Sequence, residues 1–259
     1  MFMRDVIIMW RNTRMVVLTA VVAAVYAAIL IPFKIALPLI PGFTEIRPAS
    51  VIPIICSLMF GPAAAWGAAF GNLIGDFFGT LTLGSIFGFF GNFLYGLIPY
   101  KLWRAFFRSG NIATLSARYF LAALISCVAC GAFIGWGVHL LGLLPFSVIG
   151  NIIVINNFLV SILLGPILLP GLYRVVRQLG LIYTDVLGEE EVGRYSAIGG
   201  ILIIIGATGA LVLGNLLAIG IYEMKFLQIQ KGAIVTGQSG LGMALLPFIL
   251  LLIIGCFIT

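Results

Sequence analysis

Long apolar runs broken by short polar stretches organise this chain, and they define its elements before any single residue does. The runs are continuous, with no strict alternation of apolar and polar positions, which predicts helices rather than the strands of a barrel. A helix crosses a hydrocarbon layer about 30 Å thick with roughly 20 residues. On that scale the pattern predicts a first helix over 14–37, followed by a loop over 38–47. A short, proline-interrupted segment covers 48–60, and Gly61-Pro62 turns the chain. Further helices are predicted over 63–79, 85–107, 116–141 and 146–176. A polar loop with Asp185 and Glu189-Glu190-Glu191 separates these from two more helices, over 196–221 and 241–258. The expected fold is all-α, a polytopic transmembrane bundle. Residues 1–180 would form a six-helix membrane core, and residues 181–259 an acidic loop with two added transmembrane helices.

Composition agrees with the pattern. Hydrophobic residues make up 62% of the chain and charged residues 8%, with a mean hydropathy of +1.22. A soluble domain carries about 25% charged residues, so this chain cannot cover a water-exposed surface. There is room for about eight spans and no separate soluble domain. The net charge of +6 comes from residues scattered over short loops, not from a basic cluster, and this argues against a nucleic-acid partner. The basic residues also set an orientation. With the N-terminus cytoplasmic, one side holds Arg4, Arg11, Arg14, Lys101, Arg104, Arg108, Arg118, Arg174, Arg177 and Arg194. The other side holds only Lys34, Arg47, Lys225 and Lys231. The excess predicts both termini in the cytoplasm, and the expected location is the plasma membrane of a prokaryote, crossed several times. No small-residue cleavage pattern follows the N-terminus, so no removable signal peptide is expected.

Polar residues within the spans carry the candidate chemistry. On this topology Asn72 and Asp76, Asn92 and Tyr95, Trp136 and His139, and Asn151, Asn156 and Asn157 all fall in the outer half, beneath a loop carrying Glu45 and Arg47. The inner halves offer mainly Ser116, Ser126 and Ser161. Polar groups are costly to bury without partners, and a cluster at one depth marks a candidate pocket for a polar small molecule. The candidate substrate-binding set is Glu45, Arg47, Asn72, Asp76, Asn92, Tyr95, Trp136, His139, Asn156 and Asn157. Each lone asparagine is equally compatible with an interhelical hydrogen bond, His139 with a simple interfacial position, and Asp76 with a pairing to Arg47. Trp66, Phe89, Phe90 and Trp136 offer ring surfaces for stacking or for lipid.

Small residues recur every fourth position in several helices. Examples are Ala20, Ala24 and Ala28, with a second row at Ala23 and Ala27, and Gly67, Gly71, Gly75 and Gly79. Others are Gly84, Gly88 and Gly96, then Ala123, Cys127, Gly131 and Gly135, and Gly206, Ala210, Gly214 and Ala218. Such stripes let helix backbones approach closely, within the bundle or against another protein.

Several chemistries lack their residues. A single histidine rules out a multi-histidine metal site, and Cys127-Val128-Ala129-Cys130 lies among apolar residues, as do Cys56 and Cys256, so buried thiols are expected. Gly237-Gln238-Ser239-Gly240 matches the G-x-S-G of rhomboid proteases, yet His139 precedes Ser239 and the last helix holds no base. No lysine sits in a Walker A context. No catalytic site, metal or cofactor is expected.

The segment from Arg47-Pro48-Ala49-Ser50-Val51-Ile52-Pro53 through Leu58-Met59-Phe60-Gly61-Pro62, Gly67, Gly71-Asn72, Gly75-Asp76 and Gly91-Asn92-Phe93-Leu94-Tyr95-Gly96-Leu97 resembles the substrate-binding S components of energy-coupling factor transporters. The resemblance covers about 14–180. It implies capture of a vitamin or vitamin-like heterocycle in an outer-half pocket roofed by the first loop. It also implies partners, a transmembrane coupling subunit and two separate ATPases, with Ala20, Ala24 and Ala28 facing the coupling subunit. The two helices from 196 onward depart from the family's six. A queuosine precursor, riboflavin, thiamine, a folate and a cobalamin precursor fit about equally, with a preference for a neutral heterocycle such as a deazapurine or a flavin. The competing readings are a self-sufficient ion-driven transporter and a membrane-embedded enzyme. The first calls for inverted repeats, and the second for paired acidic or histidine residues facing the cytoplasm.

Overall fold

A computed structural model describes residues 3–79, 81–106, 117–188, 196–218 and 239–259. Arg108, Ser116, Glu189-Glu190-Glu191, Arg194, Lys225, Lys231 and the Gly237-Gln238 part of the G-x-S-G sequence lie outside the described residues. The chain opens with α1 (Arg4–Ile8) and a single 3-10 turn, then α2 (Thr13–Ala36). A two-stranded hairpin follows, β1 (Pro38–Ile40) against β2 (Thr44–Glu45), antiparallel with Pro38 opposite Glu45. A second 3-10 turn, Pro48–Ser50, leads into α3 (Val51–Phe60) and α4 (Pro62–Asp76). Next come α5 (Gly84–Phe106), α6 (Ala117–Leu140), α7 (Phe146–Gln178), α8 (Tyr183–Leu187), α9 (Ala197–Ala218) and α10 (Ser239–Ile258).

Among the described residues five helices, α2, α6, α7, α9 and α10, are long and apolar enough to cross a membrane. The expectation of about eight spans meets a physical difference here. Helices α3 and α4 have 10 and 15 residues, and α5 carries Lys101 and Arg104 in its last turns. A 15-residue helix is about 22 Å long, short of the hydrocarbon thickness. The three are shielded by their neighbours, since every residue of α3 is buried, along with 11 of the 15 in α4 and 15 of the 23 in α5.

Small residues decide how the helices pack. Helix α4 runs beside α2 in the same direction, with Gly67 against Val22, Gly71 against Tyr26 and Gly75 against Leu30. A methyl group on Gly96 of α5 would lie 2.7 Å from the Ala64 carbonyl oxygen of α4. Gly61, at φ +53°, ends α3 and starts α4 with Pro62 in the first helical position. On α2 the two alanine rows part company. Ala23 and Ala27 are buried in the bundle, whereas Ala20, Ala24 and Ala28 are exposed together with Val17, Val21 and Val25.

Pro99 interrupts α5 and frees two backbone groups, which are then used to bind other helices. The Tyr95 carbonyl, four residues back, accepts from Ser126 Oγ of α6 at 2.7 Å. The Tyr100 amide donates to Ser57 Oγ of α3 at 3.0 Å.

The two ends of the bundle differ. At the end marked by α1, buried Asp5 accepts from the Tyr100 hydroxyl and from Lys101 Nζ at 3.4 Å. Arg104 donates to the Tyr100 hydroxyl at 3.0 Å, and Tyr183 of α8 packs edge-on against the Tyr100 ring. Asn12 caps α2 through Oδ1 and donates from Nδ2 to the Val186 carbonyl, joining α8 to the same plug. The hairpin marks the other end. Helices α9 and α10 pack on each other and along α6, with amides of Asn151 and Asn215 exchanging hydrogen bonds at 2.6 and 3.1 Å.

Gly96→Val places branched carbon against backbone that cannot yield. It is expected to cost roughly 1–3 kcal/mol, read as an earlier unfolding midpoint in a denaturing-detergent titration.

Candidate functional site

At the hairpin end a cleft opens between the loop, α4, α5, α6 and α7, with about 470 Å³ of empty space including its mouth. Its polar wall is formed by Arg47, Asn72, Asp76, Thr82, Ser85 and Asn92, and its apolar side by Phe43, Ile134, Val138, Ile149 and Ile153. Gly84 and Gly88 of α5 also face it, so backbone takes the place of a side chain there.

A continuous network holds the polar wall. Arg47 Nε donates to Glu45 Oε1 at 2.5 Å, and its Nη2 donates to Asn72 Oδ1 at 2.8 Å. Asn72 Nδ2 donates to Asp76 Oδ2 at 3.2 Å, while Asp76 Oδ1 accepts from Lys34 Nζ. All five side chains are buried. The run joins the loop, α4 and α2 through two ion pairs and two hydrogen bonds of the Asn72 amide. Burial disfavours the charged Arg47 guanidinium, but the Glu45 carboxylate beside it outweighs that and holds its pKa above the ordinary arginine value. Asn92 completes the wall from α5. Its Oδ1 accepts from the Tyr26 hydroxyl at 2.9 Å, and its Nδ2 donates to the Gly88 carbonyl at 2.9 Å.

The residues singled out from sequence separate into two groups. Arg47, Asn72, Asp76 and Asn92 meet on the cleft wall, with Glu45 directly behind Arg47. The others lie off it. The Tyr95 hydroxyl donates to the Ser50 carbonyl at 2.8 Å and lies 3.2 Å from Ser161 Oγ, joining α5 to α3 and α7. Asn156 clamps the loop, donating to the Glu45 carbonyl at 2.7 Å and accepting from the Arg47 amide. Asn157 accepts from Ser50 Oγ at 2.7 Å. Trp136 faces α10 and donates to the Gly242 carbonyl at 3.0 Å. His139 is buried near the end of α6 and is not among the cleft-lining residues. Of the candidate stacking rings, Trp66 packs with Trp10, Phe70 and Phe93, and Phe89 with Phe70 and Phe90.

Three residues of the site were not among the sequence candidates. In the sequence Lys34 reads only as a charge on the outer side, although a lysine in the last turn of an apolar span is a usable signal. Tyr26 gave none, because a tyrosine in an apolar run reads as packing. Phe43, in the loop between β1 and β2, is the aromatic ring on the described cleft wall. Asp76, for which a pairing to Arg47 was the alternative to ligand contact, pairs with Lys34, and Asn72 bridges it to Arg47.

A bundle of lipid-length helices with a charge-lined cleft sunk into one end is the build of a polytopic membrane protein. Compared with protein families, residues 16–174 match the QueT transporter family, more than half of the chain, and the chain belongs to that family. These are S components of energy-coupling factor transporters, associated with queuosine-precursor uptake, and they work with other subunits. Searches of curated proteins and of solved structures gave no match.

Arg47→Met strands the buried Glu45 carboxylate, and loss of one partner of a buried pair costs about 3–5 kcal/mol. A detergent-unfolding titration is expected to show that loss, and Glu45→Gln/Arg47→Met to recover most of it.

Proposed function

We propose that this chain captures a vitamin-like heterocycle, a deazapurine queuosine precursor in the first instance, in the hairpin-end cleft and passes it on through a membrane coupling subunit. The observation that carries this reading is the cleft wall of Arg47, Asn72, Asp76 and Asn92, set in the bundle of a QueT-family chain. Amide, guanidinium and carboxylate groups offer donors and acceptors to the edges of a planar base. Phe43 and the four aliphatic side chains opposite offer its faces a dry surface. The remaining site candidates act at one remove: Asn156 fixes the loop that carries Glu45 and Arg47, and Asn157 and Tyr95 fix the start of α3.

In this reading the hairpin end faces outward and the α1 end faces the cytoplasm of a prokaryotic cell, an orientation that the distribution of basic residues supports. Eight described basic residues, from Arg4 to Arg177, belong to the α1 side of that layout, against Lys34 and Arg47 on the other. The exposed row Ala20, Ala24 and Ala28 is the contact face for the coupling subunit, whose two ATPases supply the energy. A face this smooth lets a partner helix come close. Residues 1–180 serve as the substrate-binding core, and α9 and α10 brace it along α6. The same layout speaks against the ion-driven alternative, since the buried charges of the cleft are already paired with one another.

Native mass spectrometry of the purified chain incubated with 7-cyano-7-deazaguanine, riboflavin and thiamine tests the capture step. One retained deazapurine is expected, with affinity reduced roughly tenfold or more in Asn92→Ala. Retention of riboflavin or thiamine instead contradicts the substrate class. In cells carrying the partner subunits, Ala24→Leu is expected to abolish uptake while ligand retention by the purified chain stays intact.

A further inference from the structure

We propose that Lys34 sets the charge selectivity of the cleft: by neutralising Asp76 from behind, it makes the site favour an uncharged base over a cationic one of the same shape. This rests on the deazapurine reading above and names a determinant within it. Lys34 is absent from the lining set, whereas Asp76 is part of it, so the lysine acts through the carboxylate as a positioning residue.

The argument is one of charge balance. Among the described residues the ion pairs at the cleft are Lys34 with Asp76 and Arg47 with Glu45, two groups of each sign, and all four side chains are buried. Of the other described acidic side chains, Asp5 belongs to the α1-end network and Asp185 to α8. Asp76 gives Oδ1 to Lys34 and Oδ2 to Asn72, so its charge is already answered on both oxygens. An ammonium group entering this wall would leave water and meet a site of no net charge, a costly transfer. A neutral base loses far less and still finds lone pairs and N–H groups along Asn72, Asn92 and Arg47. Without Lys34 the Asp76 charge stands alone in a low-dielectric cleft, and it then attracts the cation that the native site rejects.

The test is a pair of ligands that differ in charge alone as far as possible: 7-cyano-7-deazaguanine, neutral, and 7-aminomethyl-7-deazaguanine, cationic at pH 7. Equilibrium affinities for both are measured on the full-length chain in detergent. The native protein is expected to prefer the cyano base. Lys34→Met is expected to move the affinity ratio toward the aminomethyl base by roughly tenfold or more, and Lys34→Arg to keep the native preference. Asp76→Asn, which leaves the ammonium uncompensated, is expected to move the ratio the opposite way. Lys34→Met/Asp76→Asn removes both charges, so no lone buried carboxylate destabilises it, and its ratio is expected to return toward native. Parallel loss of both affinities in Lys34→Met, with an unchanged ratio in Asp76→Asn, assigns the pair a purely structural role and overturns the inference. So does a native preference for the aminomethyl base. Binding of neither base by the native protein removes the deazapurine reading and this inference with it, an outcome distinct from an unchanged ratio.

Discussion

The buried run from Glu45 through Arg47, Asn72 and Asp76 to Lys34 ties together parts of the chain that apolar packing alone would leave free to shift. Lipid gives a helix little reason to prefer one rotation over another, because its tails are as apolar as the side chains they touch. Polar groups do give that reason, since an unpaired carboxylate or guanidinium in such surroundings is far costlier than an imperfect apolar contact. Two ion pairs and two hydrogen bonds of the Asn72 amide fix α2 against α4 and both against the hairpin loop. Glycines at 67, 71 and 75 bring α2 and α4 close enough for Lys34 to reach Asp76. The packing and the polar run therefore support each other.

The same logic separates the two ends of the bundle. Around α1, the Asp5, Tyr100, Lys101 and Arg104 groups are satisfied by one another, and α8 closes over them. At the hairpin end the polar groups are satisfied along a wall that still borders open space. One end is thus a seal and the other a chamber. Helix α2 serves both the chamber and the bundle's outer surface. Its inward face carries Tyr26 and Lys34 to the cleft residues Asn92 and Asp76, while its alanine row at 20, 24 and 28 remains exposed. A displacement of α2 by a protein seated on that row would reach two groups of the cleft wall directly.

Much of this was legible in the sequence, for reasons that differ by residue. In apolar spans a carboxylate or amide stands out, so Asp76, Asn72 and Asn92 mark the cleft without any knowledge of packing. The helix pattern was equally plain, because long apolar runs between Gly and Pro breaks leave little freedom in element type. Partner choice was not legible. Whether Asn157 meets a ligand or Ser50 depends on helix rotation to within a fraction of a turn, which a 3.6-residue period does not supply. Trp136 turned out to face α10, a neighbour more than 100 residues away in sequence. Lys34 was hidden by its position at a span boundary, where a lysine usually reports topology alone. Short elements such as α1, α8 and the hairpin carry too few residues for a periodic signal.

Amide hydrogen exchange, followed by mass spectrometry with and without 7-cyano-7-deazaguanine, tests the central claim most directly. The account predicts slower exchange on ligand addition over residues 41–47 and 82–88, which frame the cleft, and no change over α1 and α8. Protection confined to the α1 end, or to α9 and α10, would contradict a binding chamber at the hairpin end.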